Sequence, residues 1–395
     1  MADSLSFPNA MHAPVATQAR ADAAAIPWYI WCGLIGVTSA MVGAHWDISW
    51  HRSIGRDTFL TPAHLAIYFC GVLAGISCGY LILSSTFGKS DFPREATVGM
   101  WGFRGPLGAF IAAWGGVAML TSAPFDDWWH SAYGLDVKIV SPPHVLLIFG
   151  MIMIEVGILI LILGAMNRAT GELQRKLDWS FLYMGGMILV VLNVLTMEYI
   201  FRPGMHNAFF YRVVAIGMPV VLAGLLRASE RRWAATITAA VFSALLLTML
   251  WVLPLFPAEP KLGPVMHQVT HFVPAEFPIL LIVPALAFDL LRRRFAVWPR
   301  WISAIVGGFV FVAVFVAAQW PFADFLMSPA ARNAFWGSIY FDYNTPPQSL
   351  YFQHKFFPPE TAQLFWTRMA EAVLFAMVST WLGLAGGDWM RRVRR

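Results

Sequence analysis

Two stretches of the chain bring acids and imidazoles together at spacings that suit a metal ion. In the first, Asp47 and His51 stand four residues apart, and Gly55-Arg56-Asp57 and Thr61-Pro62-Ala63-His64 follow. In the second, Asp126 and His130 are again four apart, with Gly134, Asp136 and Ser141-Pro142-Pro143-His144 after them. Both therefore read Asp-x-x-Trp-His, then Gly-x-Asp, then Ser/Thr-Pro-x-His, an internal repeat. Residues four apart on a helix share a face, so each Asp–His pair can reach one ion. Thr61 and Ser141 suit the N-cap of a following helix, with Pro62 and Pro142 at its first position, where a missing N–H costs nothing. His64 and His144 then sit in the first turn of a rigid element. Two imidazoles and a carboxylate with coordination positions left open suit copper or non-haem iron, whereas a structural zinc site is closed.

The elements that must position these residues follow from composition. The 395 residues are 58% apolar and 12% charged, against about 25% charged in a water-soluble protein. An ordinary cytosolic enzyme is excluded, and the 15% aromatic content excludes a disordered chain. The fold class expected is all-α, a polytopic integral membrane protein. Ten stretches have the roughly 17–25 apolar residues a spanning helix needs: approximately 26–44, 62–86, 105–124, 142–166, 179–200, 208–227, 233–254, 272–291, 301–320 and 364–386. Residues 1–25 read as a tail and lack the pattern of a signal peptide. Cys32, Cys70 and Cys78 all fall in apolar stretches, which argues against a disulfide framework or a Cys-rich metal site.

Counting Lys and Arg in alternate connections gives eighteen on one side and seven on the other. Cytoplasmic loops retain these residues, so both termini are expected in the cytoplasm of a bacterial-type inner membrane. The net charge of +5 then reflects topology and lipid head groups, not a nucleic-acid partner. The same topology places His45, His51, His64, His130, His144, His206, His267, His271 and His354 in or beside outward connections, with His12 the exception. The chemistry is therefore expected at the periplasmic face.

At these residues a resemblance appears. Trp50-His51, Arg56-Asp57-Thr58 and Thr61-Pro62-x-His64, with Asp47 four before His51, resemble the copper-site motif in the C subunit of the copper membrane monooxygenases, the particulate methane and ammonia monooxygenase family. Asp126, His130 and His144 resemble that subunit's other copper motif, in which an Asn or similar residue stands where this chain has Asp126. The likeness covers roughly residues 40–165. It divides the chain into a tail (1–25), a metal-binding membrane domain (26–170) and a second membrane domain (171–395) with a weaker likeness to the family's A subunit, carried by Phe277-Pro278, Pro284-Ala285, Asp289, Ser303 to Gly308 and Trp320-Pro321. The resemblance implies a copper-dependent monooxygenase, copper ranking ahead of iron. Asp47, His51 and His64 would hold the catalytic copper that activates dioxygen, and Asp126, His130 and His144 would hold a second ion or assist the first. It further implies a small apolar substrate reached from lipid, a donor such as quinol, an oligomer, and a partner subunit with an extramembrane copper-binding domain. No connection here exceeds about 43 residues, too short for such a sandwich domain of about 100.

The competing reading is a non-enzymatic metal-handling or transport protein, which ten spans with an internal repeat also fit. Against it, a transporter places its polar ligands near the midplane, and here they concentrate at one edge. A di-haem quinol oxidase needs paired histidines on both sides of the membrane. Other polar residues have two readings each. His267 and His271, four apart, are either a second helical ligand pair or part of a capping connection. Glu155, about 16 Å below His144 on a helix, either relays protons or is hydrogen-bonded to a neighbouring helix. His206 and His354 read as structural. Glu198, Arg212 and Arg368 with Glu371 read as interhelical pairs, and the dispersed methionines as packing. The connection over 321–363, rich in Phe, Tyr and Pro, is expected across the outer surface or against a partner.

Overall fold

A computed structural model describes residues 25–55, 58–88, 92–134 and 141–394. His12, Arg56, Asp57 and Asp136 lie outside these, so half of each Gly-x-Asp motif does too. The described residues form ten α-helices: α1 Trp28–Ser53, α2 Pro62–Thr86, α3 Leu107–Tyr133, α4 Pro142–Met166, α5 Gly171–Thr196, α6 Ala208–Ala228, α7 Ala234–Val252, α8 Ile282–Val297, α9 Arg300–Met327 and α10 Ala362–Met390. Prolines mark several starts: Pro62 and Pro142 occupy the first turn of α2 and α4, while Pro27, Pro106 and Pro299 immediately precede α1, α3 and α9. A two-stranded ribbon, β1 (Val98–Met100) and β2 (Phe103–Gly105), joins α2 to α3. Its turn residues Trp101 and Gly102 both have positive φ, as the twist of a tight hairpin requires.

Eight helices, α2 to α7, α9 and α10, are long and apolar enough to cross a membrane, and the chain is a polytopic, helical membrane protein. The other two differ from expectation. α1 runs nine residues past the predicted span end at 44, carrying Asp47 and His51 on its own last two turns. The span expected over 272–291 is helical only from Ile282, which leaves α8 with 16 residues. Phe272 to Leu281 is not helical. The cause is Pro274 and Pro278: each lacks an N–H and pushes the residue before it out of the helical region.

Lipid tails are as apolar as leucine, so close packing must hold such helices together. Glycines provide the approach between α3 and α4. A Cβ on Gly115 would sit 2.7 Å from the Gly150 carbonyl, and one on Gly157 2.6 Å from the Gly108 carbonyl. α5 packs on α4, α1 and α7, and one apolar cluster continues from Tyr29 to Leu384. At the opposite end from the histidines, Arg227 and Arg300 both hold Asp388, at 2.6 and 2.9 Å.

Candidate metal centre

α1 ends at Ser53, and Gly55 follows with φ +79°; α3 ends at Tyr133, and Gly134 follows with φ +90°. The glycine of the repeat thus has a physical reason in both copies, since it terminates a helix in the left-handed region that other residues avoid. Thr61 and Ser141 are the N-caps of α2 and α4, as expected. Thr61 Oγ1 accepts from the His64 amide at 3.3 Å, whereas Ser141 makes no such bond.

Each carboxylate stands between its two imidazoles. Asp47 Oδ1 lies 3.1 Å from His64 Nε2, and its Oδ2 3.8 Å from His51 Nε2. Asp126 Oδ2 lies 3.3 Å from His130 Nε2, and its Oδ1 3.5 Å from His144 Nε2. His64 Nδ1 is 3.0 Å from the Thr58 carbonyl and His130 Nδ1 3.4 Å from the Gly134 carbonyl. A carbonyl oxygen only accepts, so these Nδ1 atoms donate, and in the neutral ring Nε2 is then a bare acceptor. An acceptor nitrogen and a carboxylate oxygen facing one another need a proton or a metal ion between them. Among the described residues no three side chains of ligating type close around an ion as they stand. The donor chemistry nevertheless fits: two Nε2 atoms and a carboxylate per copy, with backbone carbonyls fixing two of the rings as metal-binding histidines require.

The two sets meet. Asp47, His64, Asp126 and His144 line one cavity of about 50 Å³, with Tyr68 and Ser122 beside them. α2 and α3 are close enough for this because a Cβ on Gly116 would lie 2.9 Å from the Gly71 carbonyl. Asp47, His51 and His144 also border a second cavity, of about 780 Å³, enclosed by α1, α4, α5, the Leu262–Ile279 region and Asp342–Tyr351. Sequence reasoning brought each triad together and left open whether the second assists the first, because spacing along the chain says nothing about which repeat faces which.

It also missed the groups that clamp the first copy. Arg52 pairs with Asp342 at 2.6 Å and donates to the Pro274 carbonyl at 2.6 Å. The Tyr343 amide donates to the Arg52 carbonyl at 3.1 Å, and the Val273 amide to Ser53 Oγ at 2.7 Å. Burial, with Asp342 beside it, pushes the Tyr343 phenol up. The expected long connection thus folds back on the first site. Glu198 and Glu276 line the larger cavity, and Arg202 lies 3.6 Å from Glu276.

The remaining expectations divide. His267 and His271 are not on a helix: the chain from Phe256 to Leu281 has none, and His271 bridges to Pro257. The helical ligand pair is therefore withdrawn. His206 stacks between Trp320 and Phe356 at 4.3 and 3.7 Å, a packing role. Arg212 of α6 pairs with Glu371 of α10 at 2.6 Å, and Arg368 with Glu360. Glu155 is 1% exposed, and neither carboxyl oxygen has a hydrogen-bond partner among the described residues. His45 is also buried, its Nδ1 2.8 Å from the Met41 carbonyl. Comparison with known protein families, curated proteins and solved structures finds no match for the chain.

Proposed function

We propose that this chain is a membrane subunit of a copper-dependent monooxygenase, with Asp47, His51 and His64 as the catalytic ligands and Asp126, His130 and His144 as a second set. The observation that carries the reading is the facing of Nε2 and carboxylate oxygens in both copies of the repeat, with both carboxylates, His64 and His144 lining one cavity. Bound copper would supply dioxygen activation: one oxygen atom enters a C–H or N–H bond and the other leaves as water, with two electrons and two protons from a donor such as quinol. The protein's part is to hold the rings. The Thr58 and Gly134 carbonyls fix two of them, and the carboxylates neutralise the ion. The larger cavity gives an apolar substrate room beside His51 and His144. The motif resemblance over residues 40–165 supports copper over iron.

In this reading ten helices span a bacterial-type inner membrane, both termini are cytoplasmic, and the site lies at the periplasmic edge, where a partner subunit bearing its own copper domain would dock. The short α8 completes its span with the non-helical segment before it, which is tolerated at depth when buried in protein.

Metal analysis and paramagnetic resonance of the purified chain, beside His51→Ala with His64→Ala, test the proposal. Copper with an imidazole-nitrogen signature, reduced in the double variant, is expected. Absence of copper and iron, or metal unchanged in the variant, overturns it. Copper that crosses the bilayer of proteoliposomes would favour a transport protein instead.

A further inference from the structure

The larger cavity has a direction. On two helices and the turn after a third, its charged side chains and imidazoles gather at one end, the end that holds Asp47, His51 and His144. Along α1 the wall goes from Ala44 to Asp47, His51 and Arg52, with Ile48 among them; along α4 from Met151 to His144; and along α5 and the turn after it from Val191, past Asn193 and Val194, to Glu198. At 1.5 Å per residue these walls are about 10–12 Å long. An extended alkyl chain advances a little less than its C–C bond length per carbon, so roughly eight to ten carbons fill that depth. The volume, about 780 Å³, belongs with the roughly 300–1,000 Å³ pockets that hold ligands of drug size, and far exceeds the needs of a molecule with one or two heavy atoms.

Charge narrows the polar end. The lining holds four carboxylates, on Asp47, Glu198, Glu276 and Asp342, against one guanidinium, on Arg52, with a second, on Arg202, 3.6 Å from Glu276. Both guanidiniums are already engaged, Arg52 by Asp342 and the Pro274 carbonyl and Arg202 by Glu276, so two carboxylates remain in excess. Placing an anionic head there sets like charges together in a poorly solvated space. A hydroxyl has no such cost and finds acceptors among these carboxylates.

We infer that the cavity binds an amphiphile with an uncharged, hydroxyl-type end and an alkyl chain of roughly eight to ten carbons, its polar end beside His51 and His144 and its chain pointing toward Met151 and Val191. This deepens the proposed function and rests on it for the identity of the reacting end. It makes the substrate a chain molecule instead of a dissolved gas.

The test uses the full chain in lipid nanodiscs and two photoreactive decanols, one carrying a diazirine next to the hydroxyl and one at the far end, with labelled residues identified by mass spectrometry. The hydroxyl-end probe is expected to mark the His51, His144 and Glu198 region and the far-end probe the Met151 and Val191 region. Unlabelled decanol should suppress both at least tenfold more effectively than decanoate. Val194→Trp, which fills the deep half, should cut labelling at least tenfold. Labelling that decanol does not suppress, a reversed order of ends, or stronger competition by decanoate overturns the inference. Copper measured on the same sample separates the two readings: copper without site labelling removes this inference alone, and labelling without copper removes the monooxygenase alone.

Discussion

The two copies of the repeat carry the same side chains in the same order, yet they are held differently. The first has a bonded N-cap at Thr61, a Gly55 pressed against Tyr343, and a helix end tied through Arg52 and Ser53 to segments more than 200 residues away. In the second, Ser141 makes no cap bond, and among the described residues nothing lies within 4 Å of a Cβ placed on Gly134. Pro124 interrupts the hydrogen bonding of α3 two residues before Asp126, and Trp128 and Tyr133 are 54% and 68% exposed. Identical ligand types therefore sit on a braced support in one copy and on a looser one in the other. A preorganised ligand set binds more tightly because less freedom is lost on binding, so under the proposed function the first copy is expected to be the stronger site.

The largest effect expected is on copper itself. Asp47→Asn should weaken binding at least about 100-fold, since losing a ligand costs at least as much as the 10–100-fold typical of altering the groups behind the ligands, and Asp126→Asn about tenfold or less, since the motif that the second copy resembles carries Asn there. Copper titration in detergent checks both. Equal losses would end the distinction between strong and weak copy.

The glycines come next. Each sits at positive φ, so alanine costs about 1 kcal/mol at either place. At Gly55 the added Cβ also meets the Tyr343 hydroxyl, an overpacking that adds about 1–3 kcal/mol. Thermal unfolding should show Gly55→Ala clearly below Gly134→Ala, and Gly55→Ala with Tyr343→Phe should recover part of the difference.

Arg52 has no counterpart in the second copy. Arg52→Ala should cost about 1–2 kcal/mol, because charge-assisted hydrogen bonds are lost at a partly screened position. It should also speed proteolysis within residues 342–351. Cleavage unchanged from wild type would mean that the connection is held by its other contacts.

The smallest difference is at the caps. Thr61→Ala should lower stability by about 1 kcal/mol, while Ser141→Ala should change it little, because that hydroxyl makes no cap bond.

These contrasts also mark what was legible in the residues. Helices, their Pro starts and both triads follow from local rules: period, cap chemistry and the four-residue spacing of Asp47 to His51 and Asp126 to His130. The departure from the span expected over 272–291 has a local cause as well, because Pro274 and Pro278 keep an otherwise apolar stretch out of the helix before Ile282. Three features were beyond local rules. Nothing near Arg52 in the chain points to Asp342, nothing in either copy says that Asp47 and Asp126 share a cavity, and Glu198 reads as one more interhelical charge until α5 is seen beside α1. All three depend on which helices become neighbours, and that choice is made by small residues such as Gly116 and Gly150, whose effect is visible only against a partner helix.

The central claim is that the two copies form one centre. Copper affinity measured for wild type, Asp47→Asn, Asp126→Asn and the double variant tests it most directly. A shared cavity predicts that the double loss departs from the sum of the single losses by about 0.5–3 kcal/mol, the range seen for residues in contact. Losses that add to within about 0.3 kcal/mol, or a wild-type chain that binds no copper, would contradict it.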